Sequence, residues 1–127
     1  MNVPTSTEPL ELPIAALKAE LFRALAHPIR VRALELLVDG PRTVGELAAA
    51  VGAELSHVSQ QLGVLRRSGV VTTRRSGSTI HYSVRDPRMA ELLAVARAIL
   101  VAGLQESRQM LDELEQGEGG AAPAVAE

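Results

Sequence analysis

Cysteine is absent from this chain of 127 residues, which removes disulfides, thiolate metal centres, thiol nucleophiles and thiol-based redox sensing together. Aromatic residues are almost missing too: the only ones are Phe22 and Tyr82. The remaining apolar residues are nearly all Ala, Leu and Val, so the expected core is aliphatic. Such a core favours helices over a β-sandwich, which draws on aromatic and β-branched strands. No apolar run reaches the length needed to span a bilayer, because Arg or Glu interrupts each one. No basic segment followed by an apolar one opens the chain, so no signal peptide is expected. One compact, soluble domain in the cytoplasm is the expectation, with a long helix to spare for a partner.

The formal net charge of −2 is weak for a partner of nucleic acid, but it is unevenly spread. Between Glu54 and Arg85 stand five arginines (Arg66, Arg67, Arg74, Arg75 and Arg85) against the single acid Glu54. From Asp86 onward eight acids face Arg88, Arg97 and Arg108. Local charge decides where a polyanion docks, so the basic middle outweighs the net value. Enzymatic chemistry has no foothold. No Ser/His/Asp order stands out, no Gly-rich phosphate loop is present, and the histidines do not cluster with acids near a nucleophile.

Prolines among Thr, Ser and Glu predict a flexible arm over 1–13, and Gly and Ala predict a disordered tail over 116–127. A first helix is expected from Ile14 to Ala26, with Ile14, Leu17, Leu21 and Leu25 on one face. His27-Pro28 interrupts it, since Pro28 cannot continue that helix but suits the first turn of the next. The second helix carries Ile29, Leu34, Leu37 and Val38 and stops at Asp39-Gly40-Pro41. Thr43 is placed to cap a short third helix, with Glu46 as capping-box partner and Gly52 as terminator. A tight turn leads to a fourth helix over Leu55–Ser68, closed by Gly69. Val70–Arg75 and Thr79–Val84 then read as a hairpin around Ser76-Gly77-Ser78. In its second strand Ile80, Tyr82 and Val84 alternate with Thr79, His81 and Ser83, which predicts one buried and one wet face. A last helix runs from Pro87 to Glu115, and its apolar stripe persists from Met89 to Leu114. A domain this small cannot cover so long a face alone, which points to a second copy.

Two helices joined by a short Gly-containing turn, then a basic hairpin, match a helix-turn-helix with a wing. The fold class is therefore mainly α with a small β-hairpin, five helices plus a wing. At about 100° per residue, Leu55, Val58, Leu62 and Leu65 of the fourth helix face the core. Ser56, Gln60, Gly63 and Arg67 form the opposite stripe, flanked by His57 and Ser59. Short polar side chains near the N-terminal end suit base edges, and Gln suits adenine. Arg66 and Arg67 come late, where the helix would cross a phosphate strand. Arg74 and Arg75 sit beside the wing tip, which can reach the minor groove or its flanking phosphates. The ordinary alternative, a solvated polar helix face, loses weight because the basic hairpin follows directly.

With these pieces placed, residues 21–84 resemble the DNA-binding domain of ArsR/SmtB-type bacterial repressors. The resemblance rests on Leu25-Ala26-His27-Pro28-Ile29-Arg30, on Val58-Ser59-Gln60-Gln61-Leu62, on Leu65-Arg66-Arg67-Ser68-Gly69-Val70-Val71, and on the wing Arg74-Arg75-Ser76-Gly77 with Tyr82. It covers about Leu17 to Leu114, and its motifs are specific as a set. It implies a homodimer built on the first and last helices, here through Leu17, Leu21, Leu92, Ala96, Ile99, Leu100, Gly103 and Leu104. It also implies a pseudo-palindromic operator, repression relieved by an inducer, and contact with bases or nearby phosphates by Ser56, His57, Ser59 and Gln60.

The sensor departs from that pattern. Thiolate-sensing relatives carry Cys-x-Cys in the third helix, whereas here Glu46-Leu47 precedes Ala48-Ala49-Ala50. Zinc-type relatives place Asp and His on the last helix, and this one has no histidine. No cofactor is expected. The alternative is a nickel-, cobalt- or zinc-type ion held by N/O ligands such as His27, His57, His81 and Asp86. A rival of another class is a winged-helix module that binds a protein partner and not DNA.

Overall fold

A computed structural model describes residues 8–120, divided into a unit that ends at Ala90 and a second that starts at Glu91. The order is α1 (Glu8–Leu25), α2 (Pro28–Leu37), β1 (Arg42–Thr43), α3 (Val44–Val51), α4 (Leu55–Arg67), β2 (Val71–Ser76), β3 (Thr79–Val84) and α5 (Met89–Gly120). The strands form one antiparallel sheet in the order β1-β3-β2. This is the winged helix-turn-helix arrangement of five helices and a wing.

Local chemistry explains most of the boundaries. His27 leaves the helical region (φ −158°, ψ 134°), and its Nδ1 accepts from the Ile29 N–H at 3.1 Å, capping α2 just ahead of Pro28. Thr43 and Glu46 form the expected capping box: the Thr43 hydroxyl accepts from the Glu46 N–H, and the Glu46 carboxylate from the Thr43 N–H. Gly52 ends α3 in the left-handed region (φ 81°), which a Cβ would oppose. At the wing tip Gly77 has φ 66° while no residue other than glycine has positive φ among those described, so the two-residue turn is of the II′ kind.

The core of the first unit is aliphatic. Leu34 and Leu37 from α2, Leu47 from α3, Val58, Leu62 and Leu65 from α4 and Val71 from β2 are almost wholly buried, with Ala24 and Leu25 of α1 beside them. No polar side chain is buried among the described residues. Truncating one of these leucines to Ala typically costs about 2–5 kcal/mol.

Several expectations need correction. α1 starts at Glu8, so 8–13 is helical and not a flexible arm. Pro13 forfeits one backbone hydrogen bond, but the Leu and Glu residues around it are good helix formers; residues 1–7 lie outside the described chain. At the other end α5 continues to Gly120, so 116–120 is helical, and only 121–127 falls outside the described residues. Extending an existing helix is far cheaper than nucleating one, which lets Gln116 and Glu118 carry the intervening glycine. Leu55 is 55% exposed and not in the core, because it occupies the first position of α4, ahead of the turn that packs. In β3 the sharp alternation is blunted: Ile80 to Val84 are all half-buried, with β1 and β2 paired along its two edges. β1 itself was not anticipated.

α5, taken by itself, exposes Val95, Ile99, Leu100, Val101, Leu104, Met110, Leu111 and Leu114. Among the described residues no helix is long and apolar enough to cross a membrane.

Candidate nucleic-acid interface

The candidate interface begins at the turn between α3 and α4. Gly52 and Ala53 both donate to Ala48 O, which closes the end of α3 within two residues. Glu54 then serves as N-cap of α4 with extended backbone and makes no side-chain capping bond. The first-turn amides of α4 thus have no capping side chain before them, the arrangement in which helix termini accept an anion's oxygen.

Val58, Leu62 and Leu65 bury one side of α4. Helical geometry puts Ser56, Gln60 and Arg67 opposite, and all three are exposed. Ser59, Arg66 and His57 are exposed as well, on the flanks. Gly63 is half-buried in the middle of the outward stripe, and a Cβ there would lie 3.2 Å from Arg67 Nη1. The Arg67 guanidinium therefore lies back along the helix toward Gln60, over the space that Gly63 leaves open. His57 has a neighbour that sequence reasoning did not give it. Its ring stands edge-on to His27, with centroids 5.9 Å apart and planes at 83°.

The wing separates its two arginines. Arg74 lies opposite His81 in the register, Arg75 opposite Ile80, and alternate residues of a strand point to opposite faces. Arg74 shares its side with Thr72, Ser76, His81 and Ser83, which line a shallow concavity of about 640 Å³. Arg75 shares the other with Ile80 and Tyr82. Both arginines are exposed. Among the described residues no carboxylate pairs with Arg66, Arg67, Arg74 or Arg75; the ion pairs are Arg32–Glu35 and Arg88–Asp86. Arg85 is used structurally, its Nε donating to Gly69 O at 2.8 Å. Four cations, two on α4 and two on the wing, are thus left without a carboxylate partner among the described residues.

The other predicted residues lie elsewhere. Leu17 and Leu21 are exposed on α1, and Ala96, Ile99, Leu100 and Leu104 on α5, where Leu92 is half-buried and a Cβ on Gly103 would meet open space. The N/O metal cluster of the alternative reading is not assembled: among the described residues no three His, Cys, Asp or Glu side chains gather. His27 and His57 are adjacent, but His81 is on the wing and Asp86 is engaged by Arg88 at 2.6 Å. That contact and the Arg88 N–H hold the Asp86 carboxyl down at about 2, against an ordinary 3.8.

Sequence reasoning missed Arg30. Its guanidinium donates to Ala24 O (2.7 Å), Arg23 O (3.4 Å) and Gln61 Oε1 (2.6 Å), joining α1, α2 and α4. Its only local signal is a cation shortly after a helix end.

Comparison with known proteins agrees with this fold. The family model for bacterial regulatory proteins of the arsR family matches residues 27–73. An uncharacterised HTH-type transcriptional regulator of Mycobacterium tuberculosis, Rv0081, is 54% identical over 106 residues, spanning 83% of this chain and 93% of that one. Its crystal structure superposes with a TM-score of 0.67 at 56% identity, covering 75% of this chain and 96% of that one. A biofilm growth-associated repressor of Xylella fastidiosa is 40% identical over 84 residues, 66% of this chain and 74% of the repressor. The solution structure of Mb0332 from Mycobacterium bovis, a homodimeric winged helix-turn-helix DNA-binding domain, gives a TM-score of 0.68 at 27% identity, covering 84% of this chain and 95% of that fragment.

Proposed function

The chain belongs to the ArsR family of bacterial regulatory proteins, and from that membership we propose that it works in the cytoplasm as a homodimeric repressor of a pseudo-palindromic operator. Each protomer lays α4 in the major groove. Ser56, His57, Ser59 and Gln60 meet bases or adjacent phosphates, Arg66 and Arg67 hold the phosphate strand, and Arg74 and Arg75 anchor the wing. The observation that carries this reading is a polar, exposed outward face on α4, with Arg66 and Arg67 at its C-terminal end and Arg74 and Arg75 on the wing that follows, none of them paired with a carboxylate among the described residues. Exposed guanidinium groups left unpaired beside short polar side chains suit a polyanion with readable edges.

The homodimer rests on apolar surface. α1 exposes Leu10, Leu12, Ile14, Leu17, Leu21 and Phe22, and α5 exposes Ile99, Leu100 and Leu104 among others. Apolar faces of this extent on two helices are what a second copy covers. Homodimerisation of Mb0332 and the repressor role of the Xylella fastidiosa relative support the same reading.

The test is selection of duplexes from a random-sequence pool by the purified chain, followed by affinity measurement at physiological salt. The selected duplex is expected to bind at least about a thousandfold tighter than the pool. Equal affinity for both would refute sequence-specific regulation.

A further inference from the structure

Arg30 spans three helices with one rigid group. The last carbonyls of α1 have no partner within that helix and carry the negative end of its dipole. Arg30 donates to Ala24 O and to Arg23 O, the latter shared with the Ala26 N–H, and turns its remaining nitrogen to Gln61 Oε1. Gln61 is half-buried on the flank of α4, next in sequence to Gln60 and one turn beyond His57. His57 meets His27, whose Nδ1 caps α2. The two contacts, His27 with His57 and Arg30 with Gln61, are three residues apart on α2 and four apart on α4, so they are successive rungs between facing helices.

We propose that Arg30, acting through Gln61, is a positioning residue that sets the rotation of α4 about its own axis and so decides which polar side chains reach base edges. The proposal rests on the reading of α4 as the base-contacting helix. The aliphatic contacts of Val58, Leu62 and Leu65 fix how deeply α4 packs, but dispersion is not directional. A hydrogen-bonded fork is directional. A rotation of about 20° moves a group at the helix surface, about 5 Å from the axis, by roughly 2 Å, more than a base-edge hydrogen bond tolerates. Because the same guanidinium grips the end of α1, any displacement of α1 is transmitted to the base-reading stripe.

The experiment uses the full chain and two variants, Gln61→Leu, which keeps the size but removes the acceptor, and Arg30→Lys, which keeps the charge but removes the fork. A duplex selected by the native chain is compared with the unselected random pool, after circular dichroism establishes native helicity. Each variant is expected to lose roughly tenfold in affinity for the selected duplex and to stay within about twofold for the pool, whose phosphate contacts are untouched. The double variant falls no further than the weaker single one, as for two groups in one bond. Amide exchange in Gln61→Leu quickens in the first half of α4 and the last turn of α1, while α3 is unchanged. Equal losses for both duplexes, retained affinity for the selected one, or additive effects would each overturn the positioning role. A native chain that does not discriminate selected duplex from pool sinks the DNA reading itself, a failure seen before any variant is made.

Discussion

Gly63 and Arg67 show how a single missing side chain shapes the outward face of α4. A Cβ at Gly63 would press to 3.2 Å on Arg67 Nη1, the far end of a flexible side chain that can swing aside. Gly63→Ala is therefore expected to stabilise the fold by up to about 1 kcal/mol through helix propensity. The same change displaces the guanidinium and puts a methyl group against the duplex, so DNA affinity falls while the urea midpoint rises. A variant in which both rise would mean that Gly63 does not face DNA. In the proposed function Gln60 and Arg75 have different tasks. Gln60→Ala is expected to relax base preference at one position of a selected duplex, and Arg75→Ala to weaken every duplex about equally. Competition binding against single-base variants checks both, and an unchanged preference for Gln60→Ala would displace the reading face. The exposed stripe was legible because helical spacing alone separates Ser56 and Gln60 from Val58 and Leu62. The partnership of Arg30 with Gln61 was not, because the two residues are 31 apart and nothing local links them.

Elements whose ends are set by neighbouring residues behave as their sequence implies. α3 is the clearest case: the Thr43–Glu46 box and Gly52 define it within a few residues. Thr43→Ala is expected to cost about 1 kcal/mol, measured as a lower urea midpoint with unchanged slope; no loss would mean that the cap is redundant. β1 is the opposite case. Arg42 and Thr43 are a strand only because Tyr82 and His81 pair with them, and a two-residue strand carries no periodicity of its own. The start of α1 was misread for a related reason, since proline signals outweighed the Leu and Glu formers between them. The turn before α5 offers a pH test. Asp86 Oδ1 accepts from the Arg88 N–H at 2.9 Å and its carboxylate pairs with the Arg88 guanidinium. The folded value of about 2 lies below 3.8, so what this turn contributes is present above the ordinary value and is lost as pH falls toward 2. An NMR titration of the Asp86 carboxyl should place its midpoint near 2, and Arg88→Ala should move it back toward 3.8. A native midpoint already at the ordinary value would deny the pairing in solution.

For the whole molecule, the charge that matters is counted per assembly. In the proposed function Arg66, Arg67, Arg74 and Arg75 are the four phosphate-neutralising cations of each protomer, eight in a homodimer. Counterion release from these contacts gives an expected slope of log affinity against log salt of about −7 for a dimer and about −3.6 for a protomer acting alone. Leu100 and Leu104, 67% and 71% exposed on α5, supply the means to separate the two cases. Leu100→Glu combined with Leu104→Glu places two carboxylates on the apolar face without touching α4 or the wing. If that face holds a second copy, burying unpaired charge there is prohibitive, and sedimentation equilibrium should show a monomer. The monomer keeps its own four arginines, so it should still bind duplex, but with about half the salt slope and without the preference for a two-fold symmetric site. A variant that remains dimeric would remove α5 from the interface. A monomer with an undiminished slope would show that one protomer already makes all the phosphate contacts, and two half-sites would no longer be needed to explain recognition.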